Sequence, residues 1–224
     1  MAQFFIDPAV VPLSEMVRSY GTAGSLTIAD DLGDPSFITS SGSGSIWTHN
    51  SIPNSAETEI VVMSRHIDGS GSVNNQRIAF AVRANALGHY SGQVTGSNNP
   101  SLTRWDGSRN TIAYSSGGGS SDGPENYFMS RVQITSGDVL RARFWNLGDA
   151  EPSTWVLSTT VTEYASGKAG IGNIFGYGAF RFFGVGTDGD PAPTSAPATS
   201  PETPINPSIT NLLATSARLN WEQG

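Results

Sequence analysis

The chain has 224 residues, and its 12 Lys+Arg against 19 Asp+Glu give a formal net charge of -7. Its cations are isolated rather than gathered in a stripe, which argues against a nucleic-acid partner held through phosphates. No cysteine is present, so disulfide frameworks, thiol catalysis and cysteine zinc sites are excluded, while 26 Gly and 13 Pro point to many short strands joined by turns.

The amino terminus, Met1-Ala-Gln-Phe-Phe-Ile-Asp-Pro, lacks a basic n-region and is broken by Asp7, Pro8 and Pro12, so it is not read as a signal peptide. No stretch of the sequence reaches the apolar length needed to cross a bilayer, and membrane insertion is not expected. Residues 1–23 are irregular, with one helical turn expected at Leu13-Ser-Glu-Met-Val-Arg18. Two readings stay open for them: a segment that attaches to a neighbouring subunit, or a capping strand of a sandwich.

Strand-like alternation then takes over. Leu26-Thr-Ile-Ala, Phe37-Ile-Thr-Ser and Glu57 to His66 read as strands, the last expected to be partly buried on both faces. In Arg77-Ile-Ala-Phe-Ala-Val-Arg83, the period of two puts Ile78, Phe80 and Val82 on one face. The intervening Asp68 to Asn75 is a run of turn formers. His89 to Val94, Ser101 to Trp105 and Asn110 to Tyr114 follow, and Asp106-Gly107 is a hairpin signal. Gly117 to Gly123 reads as a loop insertion. Tyr127 to Thr135 and Val139 to Trp145 form a second hairpin, with Leu140, Ala142 and Phe144 opposed to Arg141, Arg143 and Trp145. Trp155 to Val161, Gly167 to Gly172 and Phe180 to Gly186 complete the set. No segment sustains a 3.6-residue period over three turns, so an all-β domain is expected over residues 24–190.

The run Tyr127…Arg131-Val-Gln-Ile, Val139-Leu-Arg-Ala-Arg-Phe-Trp145, Ser166-Gly-Lys-Ala-Gly-Ile-Gly172 and Phe180-Arg-Phe-Phe-Gly-Val-Gly186 resembles the carboxy-terminal half of concanavalin-A-like lectin/glucanase domains, the laminin-G-like jelly rolls. That resemblance implies a jelly-roll β-sandwich. Residues 191–207 read as a Pro/Ala/Thr/Ser linker. Residues 208–224, with Leu219 and Trp221 as an inward pair, belong to a stretch that resembles the opening strands of a fibronectin type III domain. Such a domain needs roughly 100 residues, so the tail reads as truncated. Jelly rolls followed by fibronectin-like modules resemble phage tail and head-fibre proteins.

Candidate chemistry is sparse. Glycosidases of the resembling superfamily use alternating carboxylates on one strand. Here Glu57-Thr-Glu59 is followed by Val61 and Met63 where a third would stand, so no enzyme is expected and the pair reads as a solvent-facing feature of an edge strand. His49, His66 and His89 lack metal-ligand spacing and read as surface or loop histidines. Asp30, Asp31 and Asp188 are candidates for a structural Ca²⁺, because the resemblance implies that first and last strands lie close; ordinary Asp-Gly turns are the alternative. Sugar binding needs aromatic faces with polar partners, and the candidates are Tyr90, Arg104, Trp105, Asp106, Tyr114, Arg143 and Trp145, with Trp47 and Trp155 assigned to the core.

The function expected from the sequence is a structural, display or host-adhesion component of a bacteriophage virion, tail- or head-associated. Such a protein is assembled in the host cytoplasm and then becomes extracellular, bound through its amino-terminal segment to other virion subunits in multiple copies or as a homo-oligomer, with host-surface glycans as further partners. The alternative is a carbohydrate-binding module of a bacterial surface or secreted protein. A glycoside hydrolase ranks third.

Overall fold

Alternating side chains dictate strands wherever one face can be covered, and here nearly the whole domain follows that rule. The computed structural model describes residues 2–22, 24–40, 44–67, 77–95, 99–116 and 126–196. In chain order its strands are β1 (Ala2–Ile6), β2 (Met16–Tyr20), β3 (Leu26–Asp31), β4 (Asp34–Thr39), β5 (Ser45–His49), β6 (Thr58–Ile67), β7 (Arg77–Asn85) and β8 (Gly88–Thr95). They continue with β9 (Pro100–Trp105), β10 (Arg109–Tyr114), β11 (Phe128–Ile134), β12 (Val139–Asn146), β13 (Leu157–Thr160), β14 (Lys168–Phe175) and β15 (Tyr177–Thr187).

These strands form a sandwich of two antiparallel sheets. The first runs β13-β12-β11-β6-β15-β4-β3, with β1 also on β15; the second runs β10-β9-β8-β7-β14-β5-β2. The long β15 gives its first half to β4 (Phe180↔Phe37) and its second half to β1 (Val185↔Phe4) along one edge. The amino-terminal residues therefore supply a strand to each sheet, β1 to the first and β2 to the second. The expected helical turn is only a 3-10 turn at Leu13–Glu15. The segment is thus paired within the sandwich, as the capping-strand reading expects.

Between the sheets lie Ile60, Val62, Phe128, Val132, Leu140 and Phe144 from one side and Ile78, Phe80, Val82, Tyr90, Val94, Leu102 and Ile171 from the other. Each large side chain fully removed from water contributes about 1.5–3 kcal/mol of transfer free energy. The predicted facing of Ile78, Phe80 and Val82 is the one observed. Strand β6 differs from expectation: it is central, paired with β11 and β15, and buried on both faces along most of its length. The cause is a second apolar cluster on the outer face of the first sheet, where Val61 and Met63 pack with Tyr127, Met129, Trp145 and Ala192.

Part of that cover is the start of the predicted linker. After Asp188-Gly189 the chain turns back, and the Ala192 N–H donates to Glu59 Oε1 at 2.9 Å. The close approach depends on glycine: a Cβ on Gly184 would lie 1.9 Å from the Pro193 carbonyl oxygen. Gly184→Ala is thus expected to displace this strap and lower stability by about 1–3 kcal/mol, while Gly137→Ala, whose nearest neighbour would be at 3.8 Å, leaves it unchanged. Urea unfolding midpoints check the pair. The linker from residue 197 onward, the fibronectin-like 208–224 and the loops read at 68–75 and 117–123 lie outside the described residues.

Candidate functional site

Two outer faces are available for function, and their charges are arranged differently. On the first sheet every described arginine but Arg141 is matched by a carboxylate. Arg131 donates to both oxygens of Glu151, at 2.5 and 2.9 Å, and pairs with Glu59; Arg143 pairs with Glu151 and donates to the Pro152 carbonyl at 2.7 Å. Arg141 and Arg143 each lie 4.4 Å from the ring of Trp155. Further along, Arg65 holds Asp31 at 2.8 Å and Tyr127 donates to the same carboxylate at 2.5 Å. Arg181 pairs with Asp34 at 2.6 Å and stacks on Tyr127 at 4.4 Å. Burial pushes the Asp31 carboxyl up, but the Arg65 and Tyr127 hydrogen bonds outweigh it and hold it below its usual range. The Tyr127 hydroxyl, buried and beside Asp31, is pushed up to about 12.

These contacts revise several expectations. Glu59 is 6% exposed on a central strand and committed to Arg131, so Glu57 and Glu59 are not an edge-strand pair facing solvent. Trp145 is buried at 8% against Met63 and Met129, because the outer face of its strand is covered. Trp155, assigned to the core, is instead half-buried beneath two guanidinium groups. Asp30 accepts from the Gly33 N–H at 3.2 Å, Asp31 is held by Arg65, and Asp188 accepts from Ser55 Oγ at 2.9 Å. Among the described residues no group of three or more acidic or His side chains comes together, so the Ca²⁺ candidates share no site.

The second sheet carries a different arrangement. Side chains opposite to the core-facing Phe80, Tyr90 and Leu102 include Ala79, Ala81, His89, Ser91, Gln93, Thr103 and Trp105, all buried. Gln93 Nε2 donates to Thr103 Oγ1 at 2.6 Å and to Ser91 Oγ at 3.2 Å. His89 stacks against Trp105 at 6.5 Å and meets Tyr20 edge-on at 5.1 Å. None of the three histidines is a surface group: His49, His66 and His89 are 6%, 0% and 0% exposed.

At the end of this face, a cleft of about 470 Å³ is lined by Arg18, Tyr20, Thr22, Ala86, Trp105 and Gly107, among others. Its walls follow from local sequence. The Asp106-Gly107 hairpin joins β9 to β10 as predicted, with Gly107 at φ +97. A Cβ on Gly44 would lie 2.5 Å from the Trp105 indole, so only glycine there allows the ring to seat. Gly21, at φ +81 and with Ser45 Oγ 2.6 Å from its would-be Cβ, turns the chain after β2. Arg18 is fixed by the carbonyls of Thr22 (3.0 Å) and Gly24 (2.6 Å) and lies 5.5 Å from the Trp47 ring. Burial pushes the Tyr20 hydroxyl up, which keeps it a neutral donor.

The sequence-derived sugar candidates divide between the two sheets. Arg143 and Trp145 belong to the first. Tyr90, Arg104, Trp105, Asp106 and Tyr114 lie on β8, β9, β10 and their connecting turn, but with different exposure. Tyr90 faces the core, its hydroxyl donating to Glu163 at 2.6 Å; Arg104 pairs with Glu163 and with Asp106 at 3.1 Å. The Tyr90 hydrogen bond, then backbone N–H groups and Arg104, pull the Glu163 carboxyl down to about 2. Burial, then Glu163, pushes Tyr90 up to about 12. Tyr114, paired with Ser101 across β9, is 59% exposed on the outer face. Arg18 and Tyr20 were missed because they lie in the segment read as irregular, where no alternation marks a face.

No protein-family model matches the chain, and no curated protein matches it. Among solved structures, the carbohydrate binding module CBM66 from Bacillus subtilis is similar at 14% identity and a TM-score of 0.54, over 75% of this chain and 92% of that one. The CBM2 module of the evolved Dit of Lactobacillus casei BL23 phage J-1 aligns at 13% identity and 0.46, over 81% and 93%. The exoplasmic/lumenal domain of VIP36, in a Ca²⁺/Man3GlcNAc-bound form, aligns at 10% and 0.47, over 81% and 86%. At these identities likeness concerns the fold alone, and only the first is close enough to support it: a lectin-like jelly-roll sandwich.

Proposed function

We propose that this is a non-catalytic glycan-binding domain whose site is the cleft at the end of the second sheet. The observation that carries the reading is the convergence of the Tyr20 and Trp105 rings and the Arg18 guanidinium on one cleft of about 470 Å³, with the exposed Tyr114 on the same sheet face. Apolar ring surface beside a few fixed polar groups is what a sugar, with its C–H face and hydroxyl rim, requires. The fold likeness to a carbohydrate binding module supports the same direction.

Titration of the protein against a panel of oligosaccharides is expected to give binding that Trp105→Ala weakens at least tenfold, about 1.4 kcal/mol. Arg141→Gln, on the opposite sheet, is expected to leave affinity unchanged. Isothermal calorimetry checks both, and equal affinity for the Trp105 variant and the parent would place the ligand elsewhere. Display on a phage particle is the setting proposed from the sequence, and the linker pattern supports it.

A further inference from the structure

Most of the described arginines are already neutralised: Arg65, Arg83, Arg104, Arg131, Arg143 and Arg181 each sit against a carboxylate. Of the other four, Arg18 is held by two carbonyls and Arg141 by Gln133 and the Trp155 ring, which leaves Arg77 and Arg109. Both are half-buried, and by the alternation of β7 and the Arg109↔Trp105 pairing both project from the outer face of the second sheet. Among the described residues neither has an ion-pair partner, and the buried Arg77 Nε has no hydrogen-bond partner. Arg109 Nε donates only to Gln93 Oε1, at 3.2 Å, so a neutral amide stands where a carboxylate would be expected. The two charges feel one another: burial, then the Arg77 charge, pulls the Arg109 guanidinium below its usual value.

Two half-buried like charges without a counter-ion among the described residues are costly in a protein with an overall charge of -7, where carboxylates are plentiful. A bound anion removes that cost, because guanidinium groups match planar or tetrahedral oxyanions. We propose that Arg77 and Arg109, with Gln93 between them, form an anion subsite on the outer face of the second sheet, and that the glycans bound by this domain carry carboxylate or sulfate groups. The second clause rests on the glycan-binding reading; the first does not. Asp106, in the turn beside Arg109, is occupied by Arg104 at 3.1 Å and by Ser108 Oγ at 3.1 Å, so it does not offset the pair.

The test uses the protein, Arg77→Gln and Arg109→Gln in two measurements. In thermal melts, sodium sulfate at fixed ionic strength is expected to raise the midpoint of the parent more than that of either variant, and Arg77→Gln is expected to melt higher than the parent when no oxyanion is present. Equal sulfate responses in all three overturn the subsite. In titrations, oligogalacturonate and sulfated chondroitin oligosaccharides are expected to bind at least tenfold tighter than their methyl-esterified and desulfated counterparts, with the preference lost in both variants. Neutral saccharides that bind in a Trp105-dependent way with no acidic preference would overturn the anionic-glycan assignment and leave the glycan reading standing. A sulfate response that depends on both arginines, without binding of any saccharide, would overturn the glycan reading and leave the subsite.

Discussion

Acidification from pH 7 to pH 4.5 is expected to cost this domain about 5 kcal/mol of unfolding free energy, and two buried histidines carry that loss. His66 lies between the sheets, 6.3 Å from the Phe128 ring, and neither of its ring nitrogens makes a hydrogen bond, although the Val94 carbonyl lies nearby and favours the charged form slightly. His89 lies between Tyr20 and Trp105, also with both nitrogens unpartnered. Burial pulls His66 down to about 4 and His89 down to about 3. In the unfolded chain each protonates near the ordinary value of about 6.5. The unfolded state therefore binds more protons below that pH, so stability falls as pH drops from about 6.5 towards the two folded values. Depressed carboxylates such as Glu163 begin to contribute as pH falls through about 5, so the window from pH 7 to about 5 isolates the histidines. Urea unfolding at pH 7, 6 and 5 should show the decline in the parent and roughly half of it in His89→Phe, whose ring keeps the aromatic contacts. An unchanged slope in that variant would mean that His89 is hydrated or protonated in the fold.

The second large effect concerns Arg83, which is 2% exposed. It donates through Nε to the Ala56 carbonyl at 2.8 Å and through Nη1 to the Tyr164 carbonyl at 2.7 Å, and pairs with Asp138 at 2.7 Å. One guanidinium thus ties β7 to three connections, the one before β6, the β11–β12 turn and the one before β14. Arg83 also sits in the left-handed region, φ +49, at the irregularity between Val82 and Asn85. Arg83→Met is expected to cost about 3–5 kcal/mol, because it leaves two carbonyls without donors. Asp138→Asn should cost about 1 kcal/mol or less, since Asp138 is 42% exposed and screened by water. Denaturant unfolding of both variants checks the ordering. Comparable losses would mean that the charge pair, rather than the carbonyl contacts, is what Arg83 supplies.

Much of the fold was legible because alternation and turn chemistry are local. Ile78, Phe80 and Val82 announce their face by spacing alone, and Asp106-Gly107 announces its hairpin. What a period of two cannot show is whether the opposite face is covered. Trp145 and Val61 look outward and are buried because Pro191 to Pro193 returns over their sheet, a contact of a segment that composition alone reads as linker. Long-range pairing is equally silent in the sequence: Ala2 meets Thr187, and Glu59 meets Arg131. The candidate site was half legible. Trp105 lines it and Asp106 follows in the next turn, but Arg18 and Tyr20 reach it from β2, at the other edge of the second sheet.

A sugar bound by this domain is expected to enter the cleft beside Trp105. The chain has five tryptophans, so a nitrogen–proton correlation spectrum reports each indole N–H, with the Trp105 signal assigned from Trp105→Phe. Titration with the best-binding saccharide should shift that signal and leave those of Trp145 and Trp155, on the opposite sheet, in place. A saccharide that binds while moving Trp155 and not Trp105 would contradict the account.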